Sequence, residues 1–239
     1  MTNADRYSQI YGSEAQAYDH LVTHEDYQGN LWRALEGLAE WKGSTVVEFG
    51  AGTGRLTRLF ADRAAHVVAC DASPEMLRVA RQHLRRELYP HVEFTVAEHR
   101  DVPVYASADI AIAGWALGHY IHFSAGNWRE CADQAVERML SSVRAGGVVM
   151  IIETLGTGRR EPEAPSAELA ELYQRFESLH GFQRLEIRTD YRFASHADAV
   201  DSVRFFFGET LAESVRAAES AVVPECTGIW HRRRAGHRA

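Results

Sequence analysis

One stretch of the sequence decides the fold: Thr45-Val46-Val47-Glu48-Phe49-Gly50-Ala51-Gly52-Thr53-Gly54. Its β-branched and apolar half predicts a buried strand, and its three alternating glycines predict a tight turn. The residues that follow predict a helix with Leu56, Leu59 and Phe60 on one face. A glycine turn at a helix N-terminus presents backbone N–H groups to a ligand, so the stretch predicts a site for a negatively charged group.

The composition is that of a globular protein with an acidic balance. The chain has 239 residues, of which 46% are hydrophobic and 25% charged, and its formal charge is −7. Because nucleic-acid binders draw most of their affinity from cationic contacts with phosphate, this balance disfavours a nucleic-acid partner. One basic cluster, residues 231–234 with Arg238, is interpreted as a solvated tail. Small-molecule chemistry is the expected function class.

The chain carries no feature that predicts membrane insertion or export. No apolar run approaches the length that spans a bilayer, and residues 1–6 lack a signal-peptide pattern. The three cysteines, Cys70, Cys131 and Cys226, are too scattered for a disulfide framework or a zinc site. We therefore expect a cytoplasmic protein without a membrane partner.

Strands and helices alternate along the first two thirds of the chain. The predicted strands are 45–49, 66–71, 92–97, 108–115 and 148–153. The predicted helices are 54–64, 73–88 and 128–144, the last stopped by Gly146-Gly147. This alternation predicts an α/β fold with a doubly wound, Rossmann-like, mostly parallel sheet and helices on both faces.

The ends of the chain complete a single domain of residues 1–239. Residues 1–42 are predicted to form a helical lid, residues 43–155 a cofactor-binding core, and residues 156–239 a substrate-side insert with closing strands. In this last part we predict helices at 166–180 and 197–216 and strands at 183–193 and 226–232. The closing strands bring the predicted sheet to seven strands.

Two cofactor classes compete for the glycine turn. Dinucleotide sites use Gly-x-Gly-x-x-Gly, whereas the third glycine here, Gly54, comes one residue early and Arg55 occupies the usual place. A pyrophosphate ligand is therefore disfavoured. Asp71 ends the second strand, 17 residues after Gly54, where a carboxylate can accept hydrogen bonds from both ribose hydroxyls of an adenosine. The alternative for Asp71 is a helix-capping role.

These motifs resemble those of the class I S-adenosylmethionine-dependent methyltransferases, and most closely their small-molecule branch. The resemblance rests on Glu48-x-Gly50-x-Gly52-x-Gly54 followed by Asp71-Ala72-Ser73-x-x-Met76-Leu77. It covers residues 45–155 well and the C-terminal third mainly by topology. It implies S-adenosyl-L-methionine as the cofactor and S-adenosyl-L-homocysteine as its product.

The resemblance assigns cofactor contacts around the turn. Glu48 would hold the methionine ammonium group, directly or through water, and Asp71 would take the ribose hydroxyls. Ala72 and Met76 would flank the adenine, a contact that suits the adaptable Met side chain. The backbone next to the methionine and ribose would come from three turn residues: Gly50, Ala51 and Gly52.

Further cofactor contacts are assigned beyond the third and fourth strands. Aligning Asp101-Val102-Pro103 with the family's acidic-hydrophobic-Pro ending places Glu98 at the adenine amine and the His99 backbone beside the ring. Glu98 is longer by one methylene than the Asp usual there. Trp115 would lie near the methionine end, and Tyr18 of the lid is also assigned to the cofactor.

Aromatic residues are candidates for the substrate pocket. Tyrosine offers a ring face with a polar tip, which suits a lid over a ligand, and on this ground Tyr7, Tyr11 and Tyr191 are assigned to the substrate. Amphipathic packing is the alternative for these residues. The run Phe205-Phe206-Phe207 is interpreted as a helix that packs onto the sheet, with an aromatic cage as the alternative.

Two residues are candidates for proton transfer. Methyl transfer is a displacement in which positioning supplies much of the rate, and a base matters only where the acceptor must lose a proton. His119, after the fourth strand, is predicted to act as a general base or to orient the acceptor, with a structural role as the alternative. Glu153, at the end of the fifth strand, could accept a proton or hold a cationic amine, with an N-cap or a salt bridge as the alternative.

No metal is expected. His20 and His24 have the i, i+4 spacing of helical metal ligands, and His122 follows His119 closely. Neither pair has the company of carboxylates that we would want for a metal site, so metal binding is not expected.

The predicted function is transfer of a methyl group to the nitrogen or oxygen of a small-molecule acceptor by a monomer or homodimer. Three alternatives stay open. They are a nucleotide-cofactor oxidoreductase, a noncatalytic S-adenosylmethionine-binding regulator, and a methyltransferase that acts on protein or RNA.

Overall fold

A seven-stranded sheet forms the centre of the molecule. The structure, a computed structural model, describes residues 3–104, 106–124 and 126–236. The strands lie in the order β3-β2-β1-β4-β5-β9-β6, and the first five of these are mutually parallel, while β9 runs antiparallel to both of its neighbours. The seven strands are β1 (Thr45–Phe49), β2 (His66–Asp71), β3 (Val92–Val96), β4 (Ala108–Gly114), β5 (Val143–Thr157), β6 (Gln183–Arg188) and β9 (Glu225–Arg233). The predicted α/β fold is confirmed.

Helices cover both faces of this sheet. Leu31, Leu35 and Phe60 pack on one face, while Trp128 and Phe176 belong to the apolar layer on the other. Burial of β-branched strand residues between two helical layers explains why the central strands are almost uninterrupted apolar runs. The helices are α1 (Asn3–Ser13), α2 (Ala15–Thr23), α3 (Asn30–Leu38), α4 (Thr57–Phe60), α5 (Pro74–His83), α6 (Tyr120–Phe123), α7 (Trp128–Ser142), α8 (Ala167–Ser178), α9 (His196–Phe207) and α10 (Glu209–Ala218).

The first two helices, α1 and α2, lie in the segment predicted to form a lid and are tied to both sides of the molecule. On one side the Ser73 hydroxyl donates to the Tyr11 carbonyl at 2.6 Å, and Asp19 pairs with His83 of α5 at 2.7 Å. On the other side the Arg6 guanidinium donates to the carbonyls of Arg204 and Phe205 at the end of α9. The lid therefore bridges α5 and α9.

Two predicted helices are shorter in the structure. The helix expected at 54–64 is reduced to α4, because residues 52–56 form successive turns whose geometry is set by the glycines. The helix expected at 73–88 ends at His83, since the residues after Leu84 are exposed and Leu88, at 63% exposure, has no apolar surface to pack against.

Gly146-Gly147 does not mark the end of a helix, as the sequence predicted, but lies within β5. Helix α7 stops at Ser142 because Val143 already has extended backbone angles. The pairing of β4 with β5 then jumps from Ala108–Val143 to Ile110–Val148, so the two glycines form a bulge in the strand. A glycine pair is compatible with the end of a helix and with a bulge in a strand, and the pairing of β5 with β4 decides between these two roles.

The C-terminal third is more divided than predicted. The strand expected at 183–193 splits into β6 and β7 (Tyr191–Arg192), and β7 pairs with β8 (Val222–Val223) in a separate two-stranded sheet. The helix expected at 197–216 breaks at Gly208, whose φ of 96° is a conformation that favours glycine.

The basic cluster near the C-terminus is not a solvated tail. Residues 231–233 belong to β9, and Arg233 and Arg234 donate to the carbonyls of Gly146 and Val143. Arg238 lies outside the described residues. Within the described ranges, no helix has the length and apolar character that crossing a bilayer requires.

Candidate functional site

The glycine turn divides into packed and open positions. Gly50, Gly52 and Gly54 all have positive φ, of 73°, 56° and 83°. A Cβ on Gly50 would lie 2.6 Å from the Cβ of Ala116, and one on Gly54 would lie 3.2 Å from that of Ala80. No described atom lies within 4 Å of a Cβ on Gly52. The first and third glycines are therefore required by packing, whereas the middle one leaves an open approach to the backbone.

Asp71 fixes this turn and the start of α5. Its Oδ2 accepts a hydrogen bond from the Gly52 N–H at 2.8 Å, and its Oδ1 accepts one from the Ser73 N–H at 2.8 Å. Burial raises the pKa of the carboxyl above its usual value. Each carboxylate oxygen can accept more than one hydrogen bond, so these contacts are compatible with the predicted ribose contact.

Glu48 lies beneath the turn and is almost completely buried. Its Oε2 accepts a hydrogen bond from the Thr57 hydroxyl at 2.6 Å, and burial raises its pKa to about 8. A cation beside Glu48 would favour the ionised carboxylate, as the predicted ammonium contact requires. Ala51 is also buried, and its N–H donates to the Cys70 carbonyl at 2.9 Å.

Met76 joins the cofactor side of the site to the lid. It is buried in a cluster with Ala15 and Val79, and Tyr11 and Tyr18 pack against that cluster. Ala72, the other residue predicted to flank the adenine, is exposed. The structure therefore brings the predicted adenine region and the lid tyrosines together, while the adenine contacts themselves stay predictions.

Glu98 and His99 follow β3, where the resemblance places the adenine. The Glu98 carboxylate is largely exposed and pairs with Arg100 at 2.7 Å. The adenine contacts of Glu98 and of the His99 backbone stay predictions. The His99 ring Nδ1 lies 3.0 Å from the Tyr120 hydroxyl, Nε2 would lie 3.1 Å from a Cβ on Gly50, and burial lowers the pKa of His99 to about 4.

Trp115 forms the corner after β4 and holds a buried arginine. Its φ of 51° is unusual for a residue with a side chain, and its N–H donates to the Ile152 carbonyl at 2.6 Å. The Arg55 guanidinium lies 3.5 Å from the centre of the indole ring and pairs with Glu25 at 2.7 Å. Arg55 Nη2 is buried and has no hydrogen-bond partner in the described part of the chain.

Arg55 is a candidate site residue that the sequence analysis missed. An unpaired buried guanidinium nitrogen is unfavourable, and a carboxylate or carbonyl oxygen of a ligand would satisfy it. Its place directly after Gly54 was visible in the sequence, but it was used there only as evidence against a dinucleotide.

Five aromatic rings from distant parts of the chain form the lid cluster. Tyr11 and Tyr18 have ring centres 5.5 Å apart, and Tyr7 lies 5.1 Å from His119. Phe206 of α9 completes the cluster, 5.6 Å from Tyr7 and 5.5 Å from Tyr18. The prediction that the phenylalanine run packs onto the main sheet is thus wrong for Phe206, because α9 packs against the lid and α10.

His119 is bonded directly to the lid. Its Nε2 lies 2.8 Å from the Tyr11 hydroxyl. In the tautomer protonated on Nδ1, Nε2 accepts a hydrogen bond from this hydroxyl. Burial, with smaller contributions from His122 and His99, lowers the pKa of His119 to about 4, so the ring is neutral at pH 7.

Glu153 caps the turn that carries His119. Its Oε1 accepts a hydrogen bond from the Gly118 N–H at 3.0 Å, and the neighbouring N–H groups of Leu117 and Ala116 also stabilise the carboxylate. The side chain is only 4% exposed, and burial raises its pKa to about 7. This is the capping role that the sequence left as an alternative. A direct part in proton transfer stays a prediction.

Tyr191 lies outside the lid cluster. It is buried, stacks on Phe193 with ring centres 5.9 Å apart, and interacts with Glu25. Its packing is that of a core residue, the alternative considered for the tyrosines. A substrate contact by Tyr191 stays a prediction.

The histidine pair on α2 does have a carboxylate neighbour. The His20 Nε2 lies 3.0 Å from Oδ1 of Asp198, which α9 brings across from far along the chain. The reason given for excluding a metal was therefore wrong, because the carboxylate that meets His20 is Asp198, which lies 178 residues away in the sequence.

Comparisons with known proteins agree with this geometry. Residues 46–147 match the methyltransferase domain family. Malonyl-[acyl-carrier protein] O-methyltransferase of Pseudescherichia vulneris is 27% identical over 217 residues, which are 91% of this chain and 70% of that protein. Demethylmenaquinone methyltransferase of Clavibacter sepedonicus is 29% identical over 149 residues, 61% of this chain and 57% of that protein.

A solved structure shows the same fold over nearly the whole chain. It is Phospholethanolamine N-methyltransferase 2 of Haemonchus contortus, in complex with phosphomonomethylethanolamine and S-adenosylhomocysteine. The TM-score is 0.62 at 14% identity, with 99% of this chain and 61% of that chain covered.

Proposed function

Because the chain belongs to the class I S-adenosylmethionine-dependent methyltransferases, we propose that it transfers a methyl group to a nitrogen or oxygen atom of a small-molecule acceptor. The methyl donor is S-adenosylmethionine, and S-adenosylhomocysteine is the product. As further parts of this proposal, the protein works in the cytoplasm as a monomer or homodimer and has no nucleic-acid partner.

One observation carries the choice of a small acceptor, namely the contact between the lid and His119. The Tyr11 hydroxyl lies 2.8 Å from the His119 Nε2, directly after β4 and beside the residues that pack on the glycine turn. Ligands of open α/β sheets bind beyond the carboxyl ends of the strands, which is where these rings meet. An acceptor enclosed there would be of metabolite size, since the lid rings already lie within about one ring diameter of one another.

The residues around the turn fit the cofactor. Gly52 leaves its backbone open, Asp71 retains acceptor capacity, and the unpaired Arg55 Nη2 offers a buried donor to a carboxylate. Glu48 would hold the ammonium group from below. When bound, the cofactor supplies a sulfonium methyl group that is open to attack by a lone pair.

The chain's own part in the reaction is to position the two reactants and to exclude water from them. The acceptor forms its bond to the methyl carbon as the carbon–sulfur bond breaks, and holding the two reactants in line supplies much of the rate. The neutral Nε2 of His119 can take a proton from an acceptor hydroxyl or amine that displaces the Tyr11 hydroxyl. Glu153, through the Gly118 N–H, keeps the His119 turn in place.

The relatives differ in their acceptors, which are malonyl-[acyl-carrier protein] in one and demethylmenaquinone in the other, as their names state. Similarity to these relatives, at 27% and 29% identity, therefore supports methyl transfer as the reaction but does not select one acceptor.

The test is to incubate the full chain with methyl-labelled S-adenosylmethionine and separate metabolite, protein and RNA fractions of a bacterial extract. We expect label in the metabolite fraction, lost in a His119→Ala variant that still binds S-adenosylhomocysteine. Label confined to protein or RNA would overturn the proposal. Calorimetry with S-adenosylhomocysteine and with NADH separates a methyltransferase from an oxidoreductase.

A further inference from the structure

Three side chains with metal-ligating atoms meet on the outer side of the lid. They are His20 and His24 at the C-terminal end of α2 and Asp198 in the first turn of α9. One ligand atom from each lies within 4.8 Å of the others. The two imidazole rings are 4.6 Å apart, because residues four apart lie on one face of a helix.

We propose that His20, His24 and Asp198 bind a divalent transition-metal ion of the zinc class, and that this ion fastens α2 to α9. Two imidazoles and one carboxylate form a ligand set that suits zinc, and three protein ligands leave a fourth position for water. With metal–ligand bonds of about 2.0–2.2 Å, tetrahedral ligand atoms lie about 3.3–3.6 Å apart. The His20 Nε2 and the Asp198 Oδ1 are already 3.0 Å apart, and a ring nitrogen of His24 lies within 4.8 Å of both, so small shifts of the side chains bring the three atoms to this spacing.

The surroundings of His24 fix the ring for this role. Its Nδ1 lies 2.6 Å from the His20 carbonyl, which can only accept a hydrogen bond, so Nδ1 carries the proton and Nε2 keeps a free lone pair. Ligating histidines characteristically donate their second nitrogen to a carbonyl or carboxylate in this way. The ring also stacks on Phe193, with centres 4.9 Å apart and an angle of 20° between the planes.

Asp198 is held in a similar manner. The Ser202 hydroxyl donates to its Oδ1 at 3.3 Å, and its own N–H donates to the capping Ser195 hydroxyl at 3.1 Å. His20 is about half exposed, so an ion can reach the group from solvent. These contacts orient the carboxylate toward α2 before any ion binds.

The proposed ion would act on the lid cluster without touching it. Helix α2 carries Tyr18 and helix α9 carries Phe206, whose rings are in contact within that cluster. A bond from α2 to α9 through an ion therefore adds a link across the two elements that close over the site. Such a link stabilises the closed arrangement by RT ln(1 + [M]/Kd), where [M] is the concentration of the free ion and Kd its dissociation constant.

The experiment uses the full chain without a histidine tag, titrated with zinc in competition with a chromophoric chelator. We expect one zinc ion per chain, with binding weakened about ten- to hundredfold or more in His24→Ala and in Asp198→Asn. Asp198→Asn preserves the shape of the helix start and so tests the charge alone. His66→Ala, a change at a partly exposed histidine on β2, is the matched control and should bind zinc as the unaltered chain does.

A second measurement is independent of catalysis and of the proposed function. Zinc should raise the melting temperature of the unaltered chain and of His66→Ala, and should leave that of Asp198→Asn unchanged. If His24→Ala fails to fold, as judged by circular dichroism, His20→Gln replaces it. Absence of binding, or equal zinc affinity in the unaltered chain and in both ligand variants, would overturn the proposal.

Discussion

Replacing Glu153 by Gln should stabilise the protein at alkaline pH, although it removes a charge that accepts hydrogen bonds. The carboxylate is 4% exposed and lies under the turn that carries His119. Burial raises its pKa from 4.5 to about 7, so the ionised form is disfavoured in the folded state. Glutamine keeps an oxygen for the Gly118 N–H and cannot ionise.

The sign and size of this change in the free energy of unfolding follow from proton linkage. Below pH 4.5 Glu153 is protonated in both states and has no effect on stability. As the pH rises from 4.5 to 7 the unfolded chain ionises first, so the folded state loses stability, and above pH 7 the loss is constant. At about 1.4 kcal/mol per pH unit the loss over this window is about 3.5 kcal/mol. The amide NH₂ facing the Leu117 and Ala116 N–H groups costs about 1 kcal/mol, which leaves a gain of about 2.5 kcal/mol at pH 8.

The assay is urea unfolding of both proteins at pH 5 and pH 8. At pH 5 most of the linkage effect is absent, so Glu153→Gln should be no more stable than the unaltered chain. Glu87→Gln, a change at an exposed glutamate, controls for the loss of a surface charge and should show no such pH dependence. A variant destabilised to the same extent at both pH values would refute the reasoning, because it would mean that the ionised carboxylate stabilises the turn.

Three further predictions concern the turn and the lid. Gly50→Ala should lower the free energy of unfolding, measured by urea unfolding, by about 2–4 kcal/mol, because it places an alanine in a left-handed conformation and its Cβ 2.6 Å from that of Ala116. Gly52→Ala should lower it by only about 1 kcal/mol. Calorimetry should show that Gly52→Ala nevertheless weakens S-adenosylhomocysteine binding by at least about tenfold, because its Cβ enters the open approach. Asp71→Asn should weaken the same binding about 10- to 100-fold through loss of charge-assisted hydrogen bonds. His119→Ala should lower turnover about 100-fold with cofactor affinity unchanged, and Tyr11→Phe should lower it less, as measured by transfer of labelled methyl.

Each of these has an outcome that contradicts it. Equal destabilisation by the two glycine variants would mean that the turn is uniformly packed. If Asp71→Asn bound S-adenosylhomocysteine with unchanged affinity, the predicted ribose contact of Asp71 would be wrong. If His119→Ala kept its turnover, the role of His119 would be structural.

The central strands could be predicted because both of their faces are buried. A strand covered on two sides must be apolar throughout, and Val46-Val47 and Val148 to Ile152 carry that pattern in sequence. Two of the boundaries that failed involve glycine. Gly146-Gly147 and Gly208 have the same local signal, yet one pair forms a bulge inside β5 and the other residue separates two helices. The pairing strand and the packed neighbour make that difference, and neither is adjacent in sequence.

The candidate site divides in a similar way. Glu48, the turn glycines and Asp71 are recognisable because a single short segment fixes their geometry. Phe206 and Asp198 are not, since the first meets Tyr7 and the second meets His20, 178 residues earlier in the chain. Contacts of this kind depend on how α9 folds back on the lid.

The double anchoring of the lid has a kinetic consequence. Through Tyr11 it is bonded to Ser73, beside Asp71, the proposed ribose ligand, and through Arg6 it is bonded to the end of α9, next to the proposed acceptor pocket. If a reactant leaves by opening of the lid, contacts on both sides must break, so exchange of the cofactor and exchange of the acceptor would share a step. Turnover at saturating concentrations would then be governed by how often these bonds break together, and both products would leave in one opening event.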